Sequence, residues 1–318
     1  MKFIILDLSN IFARDWYGTS CPEELKVPLM YHSAISSISD AWYRFKGDHI
    51  VVALEGRSWR KQHYTEYKSD RSELPNVFYN AINEFCTFLI NKTNVTVMRH
   101  PLLEADDLIA GWTQHYPNSE HVIVSTDSDF YQLLSNNVTI FDGLKKMHIT
   151  LDGFYNLNGT PVKDKKTGKI KEAPNPEWLL FEKCIRGDKT DKVFSAYPGV
   201  RTKSTKNKIG LLEAFSDKND KGWAWNNLML QTWVDHNGET HRVLDDYIRN
   251  KELIDLSAQP TLIREAITHT INENSMPKNM PQVGVHLMKF CGKHELIRIT
   301  DNITRHVTPL AANFPQKN

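Results

Sequence analysis

The chain has 318 residues, of which 40% are hydrophobic and 24% charged, with 39 Lys plus Arg against 38 Asp plus Glu. Those proportions fit an ordinary globular protein of one large or two smaller domains, and the near-zero net charge leaves the partners to be read from how charge is distributed. Cys21, Cys86, Cys184 and Cys291 are scattered with no C-x-x-C pair, which argues against a zinc site or a disulfide framework. The apolar run in MKFIILDLSN is too short for a signal peptide, and no run approaches membrane-spanning length. A cytoplasmic protein without a membrane partner is expected.

Apolar, β-branched runs recur at residues 3–6 (FIIL), 49–54 (HIVVAL), 95–98 (VTVM), 121–124 (HVIV) and 138–141 (VTIF). Helical patterns over 29–45, 75–91 and 103–114 separate most of them. The alternation predicts an α/β fold with a mostly parallel central sheet flanked by helices. Near-continuous apolar character fits strands buried on both faces. Residues 158–176, NGTPVKDKKTGKIKEAPNP, read as an exposed loop or hairpin. Helical patterns then dominate at 176–186, 206–216, 241–252, 260–272 and 281–296, before a loose tail, TPLAANFPQKN. This predicts two domains, 1–173 and a mainly helical 174–318.

Three predicted strands finish on acids. FIIL leads into Asp7, VVAL into Glu55, and VIVST into Asp127 and Asp129. LLEADDLIAGW adds Glu104, Asp106 and Asp107 at a helix start. Taken singly, each acid serves as well as an N-cap or a macrodipole partner. Taken together at the C-terminal edge of one parallel sheet, they crowd like charges where open α/β sheets place their sites. Two bare carboxylates at about 4 Å repel by about 4 kcal/mol at an effective dielectric near 20. An all-oxygen set of this kind suits a hard divalent cation, Mg²⁺ or Mn²⁺. Asp188 and Asp191, in CIRGDKTDKV, have i, i+3 spacing and offer a second metal position. Two ions about 4 Å apart are a recognised arrangement for phosphodiester hydrolysis.

Basic residues cluster twice. Arg57, Lys61, Tyr64, Lys68 and Arg71 step by four, three, four and three, one face of a predicted helix, with Trp59, Tyr64 and Tyr67 interleaved. Such a stripe suits phosphates and stacking on unpaired bases, or it is a solvated helix face. Residues 183–208 carry eight basic residues and two acids. There Lys203, Ser204, Thr205 and Lys206, near a predicted helix start, either hold a phosphate or form a solvated turn. The thirteen histidines show no metal-ligand spacing and are read as ordinary surface or core residues.

In order along the chain, LDLSN, ALEGRSWRKQHYTEYKSDR, LEADD, STDSDF and GDKTDKV resemble the metal-dependent 5′-nucleases, the flap endonuclease and 5′–3′ exonuclease superfamily. The likeness is greatest to its bacteriophage members, including the phage-type RNase H, and covers roughly residues 1–216. It implies a PIN-like 5′-nuclease fold, a helical arch from about 57 to 90, and a helix–three-turn–helix-like module that grips duplex DNA from near Asp188. It implies a first metal site of Asp7, Glu55, Glu104 and Asp106, and a second of Asp127, Asp129, Asp188 and Asp191, with Asp107 acting through water. By the same likeness Lys68 and Arg71 hold the scissile phosphate, Tyr67 stacks on the terminal base, and Arg57, Arg60 and Lys61 hold neighbouring phosphates.

Two departures stand out. The family usually has Asp where this chain has Glu55. Its hairpin commonly has two glycines, and here Gly199 stands alone, with Arg201, Lys203 and Lys206 able to compensate by charge.

The implied activity is hydrolysis at the 5′ end of flaps, nicked duplexes or RNA primers on DNA, by a monomer with two Mg²⁺ or Mn²⁺ ions. In a phage this would serve DNA replication in the host cytoplasm, with a clamp or single-strand-binding protein as partner. Two other readings share the pattern: a PIN-type ribonuclease, and a non-catalytic structure-specific DNA-binding protein with a degenerate metal site. A haloacid-dehalogenase-like phosphatase needs a second Asp two residues after the first, and position 9 is Ser.

Overall fold

The computed structural model describes residues 1–206 and 208–315. The chain forms two compact units, one of Met1–Arg57, Glu73–Pro174 and Leu262–Asn318, the other of Ser58–Ser72 and Asn175–Thr261. This division by packing assigns residues 262–318 to the unit that holds the large sheet, whereas the sequence pattern divides the chain at 173/174. Among the described residues no helix is long and apolar enough to cross a membrane.

The first unit is built on a seven-stranded sheet, ordered β3-β2-β1-β4-β5-β6-β7. Its strands are β1 (Lys2–Asp7), β2 (His49–Ala53), β3 (Thr96–Met98), β4 (Glu120–Val124), β5 (Val138–Asp142), β6 (Met147–Thr150) and β7 (Gly153–Asn156). β1 to β5 are parallel, and β6 and β7 add an antiparallel edge. The five strands expected from the apolar runs are all present. One register row, Val97, Val52, Leu6, Val124 and Phe141, crosses the parallel part, so its strands finish at one level. The chain leaves β1 toward β2 and β3, then returns to β4 on the other side. The β1/β4 boundary is therefore the topological switch point.

Both sheet faces are covered, which is why the strands read as unbroken apolar runs. Ile4 and Leu6 share a buried cluster with Met30, Ala34, Ile35 and Ile38 of helix Glu23–Phe45. On the opposite face Phe3 packs edge-on against Trp112 of helix Ala105–His115, with ring centroids 5.2 Å apart. Gly111 of that helix is required by close packing, because a Cβ there would collide with the Ile267 side chain. The C-terminal helices are pinned to the same unit. Asn94 N–H donates to the Leu310 carbonyl at 2.8 Å, Met280 N–H donates to Asn94 Oδ1 at 2.8 Å, and Ser39 Oγ lies 2.7 Å from His306 Nδ1.

The second unit packs helices Pro176–Arg186, Leu211–Ser216, Trp223–Met229 and Val243–Ile254 around Phe181, Ile185, Leu211, Trp225 and Val243. A two-stranded ribbon, β8 (Thr232–Val234) and β9 (Thr240–Arg242), completes it. Helix Pro176–Arg186 starts where the sequence places it: Asn175 Oδ1 accepts from Trp178 N–H at 3.0 Å and proline opens the first turn.

Three local expectations change. The stripe at 57–71 does not lie on one helix. Only Arg60–His63 is helical, Tyr64 is extended, and Lys68 has φ 50°. Trp59, Arg60, Tyr67 and Lys68 are buried. Burying an aromatic side chain contributes about 1.5–3 kcal/mol, well beyond helix propensities of a few tenths per residue, so packing decides the backbone. The helix expected over 206–216 begins at Leu211. Ahead of it, Leu211 and Leu212 N–H bond back to the Arg201 and Thr202 carbonyls, so the chain turns there instead. Thr308–Ala311, expected in the loose tail, close helix Ile303–Ala311. Asn207 and residues 316–318, which fall in that expected helix and tail, lie outside the described residues.

Candidate active site

The acids of the first unit are fixed by the ends of β1, β2 and β4 and by one helix start. Asp7 is the last residue of β1 and caps helix Leu8–Gly18, its Oδ1 accepting from Asn10 N–H at 3.0 Å. Its other oxygen, Oδ2, accepts from Ser125 Oγ at 3.1 Å. The same Ser125 Oγ accepts from Asp127 N–H at 3.1 Å, and Asp127 Oδ1 accepts from Asp129 N–H at 2.9 Å. One hydroxyl thus ties Asp7 to the Asp127–Asp129 turn across the switch point. Asn10 reinforces the link, because its Oδ1 accepts from Thr126 Oγ1 at 2.9 Å.

The second group gathers at helix Ala105–His115. Glu55 lies two residues past β2, and its N–H donates to Ser9 Oγ at 2.9 Å. Glu55 Oε2 accepts from Ala105 N–H at 3.1 Å, so this carboxylate occupies the positive end of the helix that carries Glu104, Asp106 and Asp107. Glu104 and Asp107 form a capping box, with Glu104 N–H donating to Asp107 Oδ2 at 3.1 Å. Glu104 is 1% exposed and Asp107 is fully buried, whereas Asp106 is half-buried. Gly56 allows this approach. Its N–H donates to the Leu103 carbonyl at 2.8 Å and Arg57 N–H to the Pro101 carbonyl at 2.7 Å. A Cβ on Gly56 would run into the carbonyl oxygens of His100, Leu103 and Pro101.

The capping reading holds for two of these side chains. Asp7 and Asp127 cap the elements that follow β1 and β4, and Ser125 links the two beside the switch point. Burial of several carboxylates is tolerable only with bonded donors or bound cations. The donor set is all oxygen, which fits hard divalent ions.

The second unit brings Tyr67, Lys68 and Arg71 onto Asp191. Arg71 Nη2 lies 2.7 Å from Asp191 Oδ1, Tyr67 Oη donates to Oδ2 at 3.2 Å, and Lys68 Nζ is 3.8 Å from Oδ2. Lys68 N–H also donates to the Asp191 carbonyl at 2.9 Å. Asp188 sits beside Lys183, with 2.7 Å between Oδ2 and Nζ. Burial alone would raise the Asp188 carboxyl, but the Lys183 ammonium and the Thr190 donors outweigh it and hold the pKa below the usual range. Gly187, at φ 75°, permits the tight 188–193 loop, because a Cβ there would strike the Val193 carbonyl.

The other expected contact residues are spread out. Arg57, Lys61, Arg201, Lys203, Thr205 and Lys206 are exposed, and Tyr64 and Ser204 are half-buried. Ser204 Oγ accepts from Gly210 N–H at 2.8 Å. Arg60 is 1% exposed and donates from Nε to the Leu253 carbonyl at 2.7 Å. Three positioning residues escaped the sequence reading: Ser9, Asn10 and Ser125. Each stands inside or beside a quoted motif, LDLSN or STDSDF, and its polarity at the end of a buried strand was the available signal.

A parallel sheet with carboxylates beside its switch point suits a metal-dependent phosphodiester hydrolase. Residues 2–159 match the family described as 5′-3′ exonuclease, N-terminal resolvase-like domain, and the chain belongs to the 5′-nuclease superfamily. It is a nuclease. Among characterised relatives it is 28% identical over 214 residues to the flap endonuclease Xni of Pseudoalteromonas translucida, covering 66% of this chain and 74% of that one. It is also 27% identical over 224 residues to DNA polymerase I of Caldicellulosiruptor bescii, covering 68% of this chain but only 25% of that much longer protein. In fold it resembles the bacteriophage T5 flap endonuclease crystallised with DNA and metal ions, with a TM-score of 0.55, 18% identity, and coverage of 86% of this chain and 98% of that one.

Proposed function

We propose that this protein is a divalent-metal-dependent 5′-nuclease that hydrolyses phosphodiesters at the 5′ end of flaps, nicked duplexes or RNA primers annealed to DNA. The observation that carries this reading is the Ser125 bridge, which ties Asp7 to Asp127 at the switch point, beside the Glu55–Ala105 bond that anchors a second carboxylate group. The relation to flap endonucleases, and the fold shared with a T5 enzyme crystallised with DNA and metal ions, support it.

Asp7, Glu55, Glu104, Asp106, Asp127 and Asp129 would hold Mg²⁺ or Mn²⁺, two ions in all. Asp188 and Asp191 offer a further metal position in the second unit. Bound ions would supply positive charge against the phosphoryl oxygens and activation of the attacking water. Asp107 acts on Glu104 through the capping box. Lys68 and Arg71 place positive charge where the transition state gains negative charge. Arg57, Lys61, Arg201, Lys203 and Lys206 contact neighbouring phosphates, with Tyr64, Ser204 and Thr205 beside them. Tyr67 positions Asp191, and Arg60 holds the 58–72 segment to the Leu253 carbonyl. Residues 1–173 carry the chemistry, and the mainly helical 174–318 grip the duplex. A monomer acting in the cytoplasm during phage DNA replication, with a clamp or single-strand-binding protein nearby, completes the reading.

The test is product length. A 5′-labelled flap, a nicked duplex, an RNA–DNA hybrid and single-stranded RNA are each incubated with Mg²⁺ and with EDTA. Short 5′ products from the branched and nicked substrates, abolished by EDTA and by Asp127→Asn, are expected. Preference for unpaired RNA would favour a PIN-type ribonuclease. Binding without any metal-dependent cutting would leave a DNA-binding protein.

A further inference from the structure

The ribbon β8–β9 of the second unit carries a group of metal-ligating side chains that the nuclease reading does not use. Asp235, Glu239 and His241 each present a ligand atom, and these three atoms lie within 4.8 Å of one another. We propose that Asp235, Glu239 and His241 bind a divalent transition-metal cation of the Zn²⁺ class that fixes the turn end of the β8–β9 ribbon.

The histidine is oriented as metal-ligating histidines usually are. Its Nδ1 faces Asp246 Oδ2 at 3.2 Å, and Asp246 is only 7% exposed. Asp246 is fixed in turn by Arg249, whose Nη1 donates to Oδ1 at 2.6 Å. The Asp246 charge beside Nδ1, a contact without hydrogen-bond geometry, favours the proton on that nitrogen and leaves the lone pair on Nε2. The ring plane is also fixed: it stacks on Trp233 at 4.4 Å with 15° between planes, directly opposite in the ribbon register. Trp233 Nε1 donates to the Ala196 carbonyl at 2.9 Å, so the platform is tied to the body of the unit.

The remaining nitrogen then meets two carboxylates. His241 Nε2 is shielded from solvent and has no hydrogen-bond partner, and Asp246 Oδ2 likewise has none. The nearest oxygen to Nε2 among its ion-pair partners is Asp235 Oδ2 at 3.8 Å, beyond hydrogen-bond range. Asp235 Oδ1 is already committed to the turn, accepting from Asn237 N–H at 2.9 Å and Glu239 N–H at 2.8 Å. Its Oδ2 accepts from Asn237 Nδ2 at 3.3 Å and keeps a further lone pair. Two lone-pair groups thus face each other across a gap too wide for a shared proton. Donor–metal distances of about 2.0–2.2 Å on each side would span it with a small inward movement. Imidazole with two carboxylates favours zinc and its first-row neighbours over Mg²⁺.

The readout must separate this site from the carboxylates of the first unit, which also take divalent ions. His241 supplies it. In the full chain labelled with ¹⁵N-histidine at a pH of about 7.5, where an unperturbed imidazole is neutral, added Zn²⁺ should move the His241 Nε2 resonance to its metal-bound position, while Mg²⁺ leaves it in place. Glu239→Gln should weaken zinc binding at His241 about tenfold or more. Glu239 is exposed, so this variant keeps the fold even if His241→Ala does not. The proposal is overturned if His241 Nε2 stays unmoved by zinc up to about 1 mM. It is overturned equally if the resonance titrates only with pH, because a protonated histidine would then be the cation between the carboxylates.

Discussion

Gly56→Ala tests how the acids are assembled. The added Cβ would lie 2.7 Å from the Leu103 carbonyl oxygen and 3.0 Å from that of Pro101, and closer still to that of His100. Ordinary contact begins at 3.4 Å, so the Leu103 oxygen alone must retreat by 0.7 Å (3.4 less 2.7). All three neighbours are backbone atoms, which no side-chain rotation can relieve. The Gly56–Leu103 and Arg57–Pro101 hydrogen bonds, 2.8 and 2.7 Å long, would stretch or break. At about 1 kcal/mol each, with the desolvation of any group left unpaired, the loss is about 2–3 kcal/mol. In a protein of this size that lowers the melting temperature by about 3–4 °C. The same retreat pulls Glu55 from Ala105 N–H, and misplacement of a catalytic group by about 1 Å can cost about 100-fold in rate. Cleavage of a 5′-labelled flap by Gly56→Ala should therefore fall at least about tenfold under saturating Mg²⁺. A variant that melts with wild type and cuts at its rate would show that the approach of β2 to residues 100–103 does not assemble the site.

Ser125→Ala removes the hydroxyl shared by Asp7 and Asp127. Its stability cost should be about 1 kcal/mol, while the Mg²⁺ concentration for half-maximal cleavage should rise about tenfold or more; an unchanged Mg²⁺ curve would remove Ser125 from the site. The Lys68→Ala, Arg71→Ala double variant should lose about 100-fold or more in cleavage rate, and full-rate cutting would take the pair off the scissile phosphate. Glu84, on helix Asn76–Lys92, faces Lys293 and His294 of the C-terminal segment. Burial works to raise its carboxyl, but those two partners outweigh burial and hold it below the usual carboxylate range. A depressed carboxyl stabilises the fold above its unfolded pKa and loses that effect as pH falls through the folded one. Glu84→Gln should thus lower thermal stability at neutral pH and matter little in acid, by no more than about 1 kcal/mol because the pair is part-exposed. Equal destabilisation at both pH values would refute the ion-pair assignment.

The first unit was legible because its signals are local. Five apolar runs became β1 to β5, and Asp7, Glu55 and Asp127 stand at the ends of β1, β2 and β4 as their spacing implied. The antiparallel edge is harder to read, because β6 and β7 are four residues each and neither holds a continuous apolar run. The 57–71 stripe fits a helical period, yet Trp59 and Tyr67 are drawn into packing that no window of sequence reveals. The same reason hides the destination of the C-terminal helices. Their periodicity is plain, but nothing local says that Asn94, on the loop before β3, waits for Leu310 and Met280. Ser125 and Asn10 illustrate a further limit: a polar residue that joins two strand ends over 115 or more positions leaves no spacing to read.

The claim that acids distant in sequence converge to hold divalent ions is tested most directly by a crystal soaked in Mn²⁺. Anomalous peaks within ligand distance of Asp7 and Asp127 are predicted, lost in Asp7→Asn, Asp127→Asn crystals. Well-ordered carboxylates with no peak beside them would contradict the account.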